Sequence, residues 1–292
     1  MKKNVLLLLA FFLLSSGVLR ADDVPSSTAP AKRSAHASVS EFKTTLPPLV
    51  IPKEEEYRDS RSPLDRLRDS AYTNFVKEDR WRYLLGGFVT TMLISFCSAV
   101  LGILIGFLVA VIRSICDQTG RLKLLSLLCK IYLTVIRGTP VVVQLLIIYF
   151  VIFGPFDVDK VLVAIIAFGV NSGAYVAEIM RSGINAVDPG QMEAGRSLGL
   201  TYLQTMRLII LPQAFKNVLP ALGNEFISLL KETSVSGYIA LQDITKGGDI
   251  IRSQTYDAFL PLTAVALTYL AVVMFFTWLL GILERNLKKN ER

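Results

Sequence analysis

Two sets of residues in this 292-residue chain have the types and spacing to do chemistry, and neither pairs a nucleophile with a base. The first is a set of polar and ionisable residues embedded in apolar runs. Asn171, Tyr175 and Glu178 recur at i, i+4 and i+7, so a helix presents all three on one face. Asn224, Ser228 and Lys231 share another such face, with Glu225 and Glu232 on the stripe beside it, and Gln144 in an earlier run can join them. Ionisable groups are costly in lipid unless they face a cavity, water or a partner. Lys231 and Glu232 are sequence neighbours and cannot meet as an i, i+4 pair does, so each needs a partner from another helix, water or a bound solute. The set reads as a polar pathway across a membrane. The competing reading is that these groups only hold helices together.

The second set is the polar stretch DPGQMEAGRSLGLTYLQTMRLIILP, residues 188–212. Asp188 is placed to N-cap a helix, with Pro189 at its first position and Gln191 three residues on, the pattern of a capping box. Gly199 supplies a stop, because glycine accepts the left-handed conformation that ends helices. Thr201 and Gln204 repeat the start signal for a second helix running toward Pro212. A short helix, a turn and a second helix start, set between apolar segments, form a docking element. Glu193 lies on the short helix beside Ala194 and Gly195, which are small enough to let a partner's backbone approach. Its carboxylate either meets that partner or only supports the helix N-terminus, worth about 0.3–1 kcal/mol.

Several chemistries are not expected. The sequence has no G-x-x-x-x-G-K-[ST] loop to cradle a nucleotide. Its one histidine, His36, stands in a polar tract with no catalytic companions, and Cys97, Cys116 and Cys129 lack metal-ligand or disulfide spacing. We therefore expect no catalytic residue, no metal and no cofactor bound by the chain, with any energy source residing in another chain.

The elements that must position these residues are membrane helices, since apolar residues make up 52% of the chain and fall in runs of about 20. Residues 1–21 carry Lys2 and Lys3, an apolar run and small residues, and read as a signal peptide or an uncleaved N-terminal anchor. Residues 22–80 form a low-complexity extracytoplasmic extension, largely disordered because it has too little apolar surface to offset its ordering entropy. Within it, residues 61–74 are suited to a short amphipathic helix with Leu64, Leu67 and Ala71 on one face. Five core spans follow, at residues 83–112, 125–153, 161–180, 218–241 and 259–283. Trp81 and Tyr83 are placed as interface anchors, and Gly102 with Gly106 permits close helix packing. The second span is kinked near Gly138-Thr139-Pro140.

Arg113, Arg121, Lys123 and Lys130, then Arg181, Arg196, Arg207 and Lys216, then Arg285, Lys288, Lys289 and Arg292 fall on one side. Asp157 and Asp159, then Asp243, Asp249 and Asp257, fall on the other. The positive-inside bias then sets the N-terminus outside and the C-terminus inside, with residues 185–215 as a cytoplasmic loop of a transmembrane domain at 81–287 and a basic tail at 288–292. That bias also accounts for the net charge of +7, so no nucleic-acid partner is expected.

The spacing E-A-G-x3-G-x9-I-x-L-P, made by Glu193, Ala194, Gly195, Gly199, Ile209, Leu211 and Pro212, resembles the EAA loop of ABC-importer permeases. The resemblance extends through VIRGTPVVVQLLIIYF (135–150), NSGAYVAEIMRSGI (171–184) and LPQAFKNVLPALGNEFISLLKETS (211–234), and covers roughly residues 84–287. These motifs are similar to those of the histidine/glutamine/arginine subfamily of type I importers.

The resemblance implies an all-α permease fold in a bacterial inner membrane, translocating a polar amino acid. It implies a cytoplasmic ATPase dimer, holding ATP and magnesium, seated on the loop of Asp188, Glu193, Ala194, Gly195, Gly199, Leu211 and Pro212. It further implies a second permease chain, identical or not, and a separate periplasmic substrate-binding protein, a domain too large for residues 22–80. An amino acid presents an ammonium and a carboxylate, which suits a pathway of Gln144, Asn171, Tyr175, Glu225, Ser228, Lys231 and Glu232. Gly195 departs from the alanine usual in the family and is expected to loosen the short helix, by about 1 kcal/mol. The alternative is an ion-coupled secondary carrier with Glu225 and Glu232 as proton or sodium sites. The docking loop and the lack of an internal inverted repeat argue against it.

Overall fold

The computed structural model describes residues 62–119 and 123–289, without the side chains of residues 117–119 and 288–289. The expectations for the signal segment, for the extension up to residue 61, for Arg121 and for the basic tail lie outside these residues. The described chain is helical throughout and opens with α1, Pro63–Ala71. Ser62 N-caps this helix by accepting from the Asp65 amide at 3.1 Å. The amphipathic helix expected at 61–74 is present over 63–71, and helical turns continue from it through Asp79. Asn74 and Arg80 are buried. Asn74 Nδ2 and Ser70 Oγ both donate to Asp257 Oδ2, at 2.7 and 2.6 Å, and Arg80 Nε donates to Gln254 Oε1 at 3.2 Å. A few well-placed polar contacts order a segment whose apolar content alone would not.

The core is organised by α2, Trp81–Thr119, against α5, Lys160–Asn185. Glycines let the two axes approach. A Cβ at Gly102 would lie 3.0 Å from the Ser172 side chain, and one at Gly106 would lie 2.5 Å from Val176 Cγ1 and 2.8 Å from the Ala177 nitrogen. The reciprocal positions behave alike, with Gly169 against Leu101 and Gly173 against Ile105. Ser98 Oγ adds a bond to the Ile165 carbonyl at 3.2 Å. Close packing between small residues takes the place of the hydrophobic drive that lipid does not supply.

The second span is broken rather than kinked. α3, Lys123–Gly138, and the segment from α4, Val141–Leu146, through Ile152 meet at 110°. Pro140 has no N–H and sits extended at φ −64°, ψ 136°, so the last carbonyls of α3 need other donors. Gln144 Nε2 supplies them, donating to the carbonyls of Ile136 (2.7 Å) and Thr139 (3.1 Å) and to Thr139 Oγ1 (2.7 Å).

After α5 come α6, Pro189–Ser197, and α7, Tyr202–Thr205. A widened turn over Met206–Ile210 then leads into α8, Leu211–Glu232, without a break in the helical path. In that wide turn the Leu211 amide bonds to the carbonyl of Met206. The helix expected to run toward Pro212 continues past it, and the widened turn over Met206–Ile210 takes up the hydrogen bond that the proline cannot donate.

α8 ends at Glu232, in a tight turn over Thr233–Ile239, rather than at residue 241 as expected. The outer connection carries α9, Ile244–Thr255, which the sequence reading did not assign, capped by Asp243 through the amides of Thr245 (3.1 Å) and Lys246 (2.9 Å). α10, Phe259–Lys289, closes the fold.

By length and composition α2, α5 and α10 can each cross a membrane, and the bent α3–α4 pair makes a fourth candidate span. α8, expected from the sequence to be another span, is less apolar than these helices, because Lys216, Glu225, Lys231 and Glu232 interrupt it.

Candidate functional site

The polar residues of the spans separate into two groups. Gln144 and Asn171 are buried at the break of the second span, where Asn171 Nδ2 donates to Gln144 Oε1 at 2.9 Å. Gln144 and Asn171 thus bond to each other, and Gln144 also to the broken backbone.

The other group lines two clefts that share one wall. A cleft of about 430 Å³ between α5 and α8 is bounded by Arg137, Tyr175, Glu178, Asn217 and Glu225. A second, of about 590 Å³, between α2, α3 and α5, is bounded by Arg113, Lys130, Thr134, Arg137, Tyr175 and Glu178. Arg137, Tyr175 and Glu178 belong to both. The Arg137 guanidinium carbon sits 5.6 Å from the centroid of the Tyr175 ring, and Arg137 Nη1 lies 3.9 Å from Glu178 Oε2. The other Glu178 oxygen accepts from Arg181 Nε at 3.0 Å and also from its Nη2. Glu225 reaches the first cleft from α8 and accepts from Ser172 Oγ at 2.8 Å.

An arginine held by a ring face and a shared carboxylate keeps donors free for an incoming carboxylate. Glu225 offers an acceptor on the facing helix. Arg137 was not singled out from the sequence, although it is a cation beside the break of an apolar run, a place where a cation needs partners. Ser228, Lys231 and Glu232 line neither cleft. Among the described residues their side chains make no hydrogen bond or ion pair.

The polar loop folds as two capped helices on a small core of Val187, Ile210 and Ala214, with Met192, Met206 and Ile209 packed against it. Asp188 Oδ1 accepts from the Gly190 amide at 2.8 Å. Gln191 does not close a capping box there; it accepts from Gln213 Nε2 at 3.4 Å and so ties the loop to α8. The box is made at the second helix, where Thr201 Oγ1 accepts from the Gln204 amide at 3.3 Å and Gln204 Oε1 from the Thr201 amide at 2.8 Å. Gly199 takes φ +83°, and the Leu200 amide reaches back to the Gly195 carbonyl at 3.2 Å. Glu193 and Ala194 are exposed. Leu198 and Leu203, flanking the turn, are 80% and 76% exposed, an apolar pair that the sequence reading did not pick out.

Gly195 is not a loosening residue, because it is buried and a Cβ there would collide with the Thr205 side chain and lie 3.1 Å from Ile209 Cδ1. Overpacking of this kind costs about 1–3 kcal/mol. Gly195→Ala is expected to lower the thermal midpoint of the purified protein, and Thr205→Ala in the same chain is expected to restore it. Equal midpoints for the parent and Gly195→Ala would show that the contact carries no strain.

Comparison with known proteins agrees in sequence and in fold. Residues 102–289 match the family model described as binding-protein-dependent transport system inner membrane component. The arginine transport system permease protein ArtQ of Bacillus subtilis (strain 168) is 37% identical over 212 residues, which cover 72% of this chain and 94% of ArtQ. The putative glutamine transport system permease protein GlnP of Rickettsia typhi is 35% identical, covering 71% of this chain and 94% of GlnP. A solved amino acid ABC transporter crystallised with histidines superposes at a TM-score of 0.66 with 38% identity, over 78% of this chain and all of that one. The MetNI methionine ABC transporter in an inward-facing conformation shares the fold, with a TM-score of 0.60 at 20% identity.

Proposed function

The chain belongs to the family of inner-membrane components of binding-protein-dependent transport systems, and from that premise we propose how its two sites act together in moving an amino acid. It is a multi-pass inner-membrane protein, the permease component of an ABC importer, and ATP is hydrolysed by another subunit. The ion-coupled carrier is thereby set aside.

The substrate is a polar amino acid, of the class that the names of the relatives give as arginine or glutamine. Its carboxylate meets Arg137 over Tyr175, and its ammonium or polar side chain meets Glu225. Lys231 and Glu232 continue the polar path along α8, and Asn171 with Gln144 holds the broken span that presents Arg137. α8 counts as the fifth span, lined by polar residues because it faces the pathway and not lipid, and the N-terminus lies outside. A cytoplasmic ATPase dimer, carrying ATP and magnesium, seats on the loop of Asp188, Glu193, Ala194, Gly195, Gly199, Leu211 and Pro212, with Leu198 and Leu203 as apolar anchors. A second permease chain and a periplasmic binding protein complete the importer.

The observation that carries this reading is the continuous helical path from Tyr202 to Glu232. One end of it is the loop and the other brings Glu225 into the cleft. Closure of the ATPases displaces the loop, and the same helix moves the carboxylate against α5, in the manner of rigid-body alternating access.

The test is uptake of labelled arginine, glutamine and histidine into proteoliposomes containing the chain, its ATPase and a binding protein. Glu225→Gln is expected to cut uptake at least tenfold while the ATPase still co-purifies. Undiminished uptake would place the pathway elsewhere.

A further inference from the structure

We infer that α1 lies in the membrane–water interface, its leucine stripe in the outer-leaflet lipid at the surface where α2 and α10 begin. The helix precedes the family match at 102–289, and the relatives already cover nearly their full length without needing so long an N-terminal extension.

Its height is set by Asp257. One oxygen of that carboxylate caps α10 by accepting from the Phe259 amide at 3.0 Å, and the other accepts from Ser70 and Asn74 of the α1 segment. A single side chain thus holds the start of a membrane helix and the extension helix at one level. The hydrogen bond from Ser70, and then that from Asn74, keeps this carboxyl below the usual carboxylate range, so the clamp holds at neutral pH. Because its folded pKa is lowered, the stabilisation is lost only as the pH falls through that lowered value.

The side chains at this level are those of an interface. Trp81 and Tyr83 open α2, while Tyr256 and Phe259 lead into α10, 96% and 72% exposed respectively. Aromatic residues gather at headgroup depth. On α1, Leu64 and Leu67 are exposed on one side, and Tyr72 and Val76 continue the apolar surface toward Trp81. Asp65 stands across the helix from Leu67, giving the one-sided pattern of an amphipathic helix lying on a bilayer. The chain runs from α1 into a span after nine residues, too short a link to lift the helix far from the surface. Lipid is therefore the favoured occupant over a soluble binding protein, which would meet the extension from the water side.

The test is electron paramagnetic resonance on the full chain in phospholipid nanodiscs, with Cys97, Cys116 and Cys129 replaced by serine. Single nitroxides are placed through Leu64→Cys, Leu67→Cys and Asp65→Cys. The expected result is that the labels at 64 and 67 collide several-fold more with oxygen than with a water-soluble nickel chelate, while the label at 65 shows the reverse. Asp257→Ala is expected to raise the mobility of the label at 67, since the clamp is gone.

Equal nickel access at all three positions would overturn the proposal. So would shielding of 64 and 67 from both quenchers, which would mean that protein covers the stripe. Uptake in the same preparation reads the transport function separately, so the two readings can fail independently.

Discussion

Gly199→Val is expected to leave the protein in the membrane while reducing ATPase co-purification, and substrate-stimulated ATP hydrolysis, by about tenfold or more. Gly199 is the only glycine in the left-handed region among the described residues, at φ +83°, and no neighbour lies within 4 Å of a Cβ built there. The penalty is therefore conformational and not steric crowding. A non-glycine residue in that region costs roughly 1–2 kcal/mol, and a β-branched one is a clear outlier. Relief is expected through a change in the angle between α6 and α7, which would separate Leu198 from Leu203 and turn Glu193 away. Gly199→Asn tolerates the same φ and should keep most of the binding. Glu193→Gln distinguishes a charged contact from helix support, because it preserves shape and removes charge. Normal ATPase binding and stimulation in Gly199→Val would sink the docking role of the loop.

The second large effect is expected at Gly106. Leucine there drives a Cβ to within 2.8 Å of the Ala177 backbone nitrogen, an atom that no rotamer change can move. The helices must part along their main contact, and the small-residue seam formed by Gly102, Gly169 and Gly173 parts with them. Overpacking a tight core costs about 1–3 kcal/mol or more. Gly281→Leu is the matched control, since a Cβ on α10 at that position meets nothing within 4 Å. In detergent, Gly106→Leu should unfold at a markedly lower temperature than the parent and Gly281→Leu at nearly the same one. Equal midpoints for the two variants would remove the seam as the organising contact of the fold.

What the sequence made legible follows a physical division. Local signals were readable because neighbouring residues decide them. The Thr201–Gln204 box, the stop at Gly199 and a disturbance of the helix near Thr139-Pro140, though not its full 110° break, all rest on backbone groups a few residues apart. The amphipathic α1 and the glycine pair on α2 belong with them.

The end of α8 was not readable, because no glycine or proline marks Glu232 and the tight turn after it depends on burial of Thr233 and Ser236. α9 was missed although Asp243 is an ordinary cap, since its buried face becomes apolar only against α2, where Gly247 packs on the Tyr83 carbonyl. Gly195 was misjudged because propensity says nothing about Thr205 leaning over it. In the cleft, the face of Tyr175 and Glu178 was evident from spacing, whereas Arg137 comes from a different helix and meets them only when α3 folds across α5. The docking of residues 70–80 was invisible for the same reason, with Asp257 lying far along the chain.

The close approach of α5 and α8 also sets a mechanical ratio. A Cβ at Gly183 would collide with the Val218 side chain and lie 3.4 Å from the Ala214 carbonyl oxygen, so the two helices touch closely there. If a bound ATPase displaces the loop, as proposed above, this contact is the place about which α8 would turn. From Val218 down to Tyr202 the lower arm is about 24 Å, and from Val218 up to Glu225 the upper arm is about 10 Å. A push of about 5 Å delivered at the loop becomes a counter-movement of about 2 Å at the carboxylate, roughly the difference between a closed hydrogen bond and a broken one. Leverage of that ratio trades distance for force.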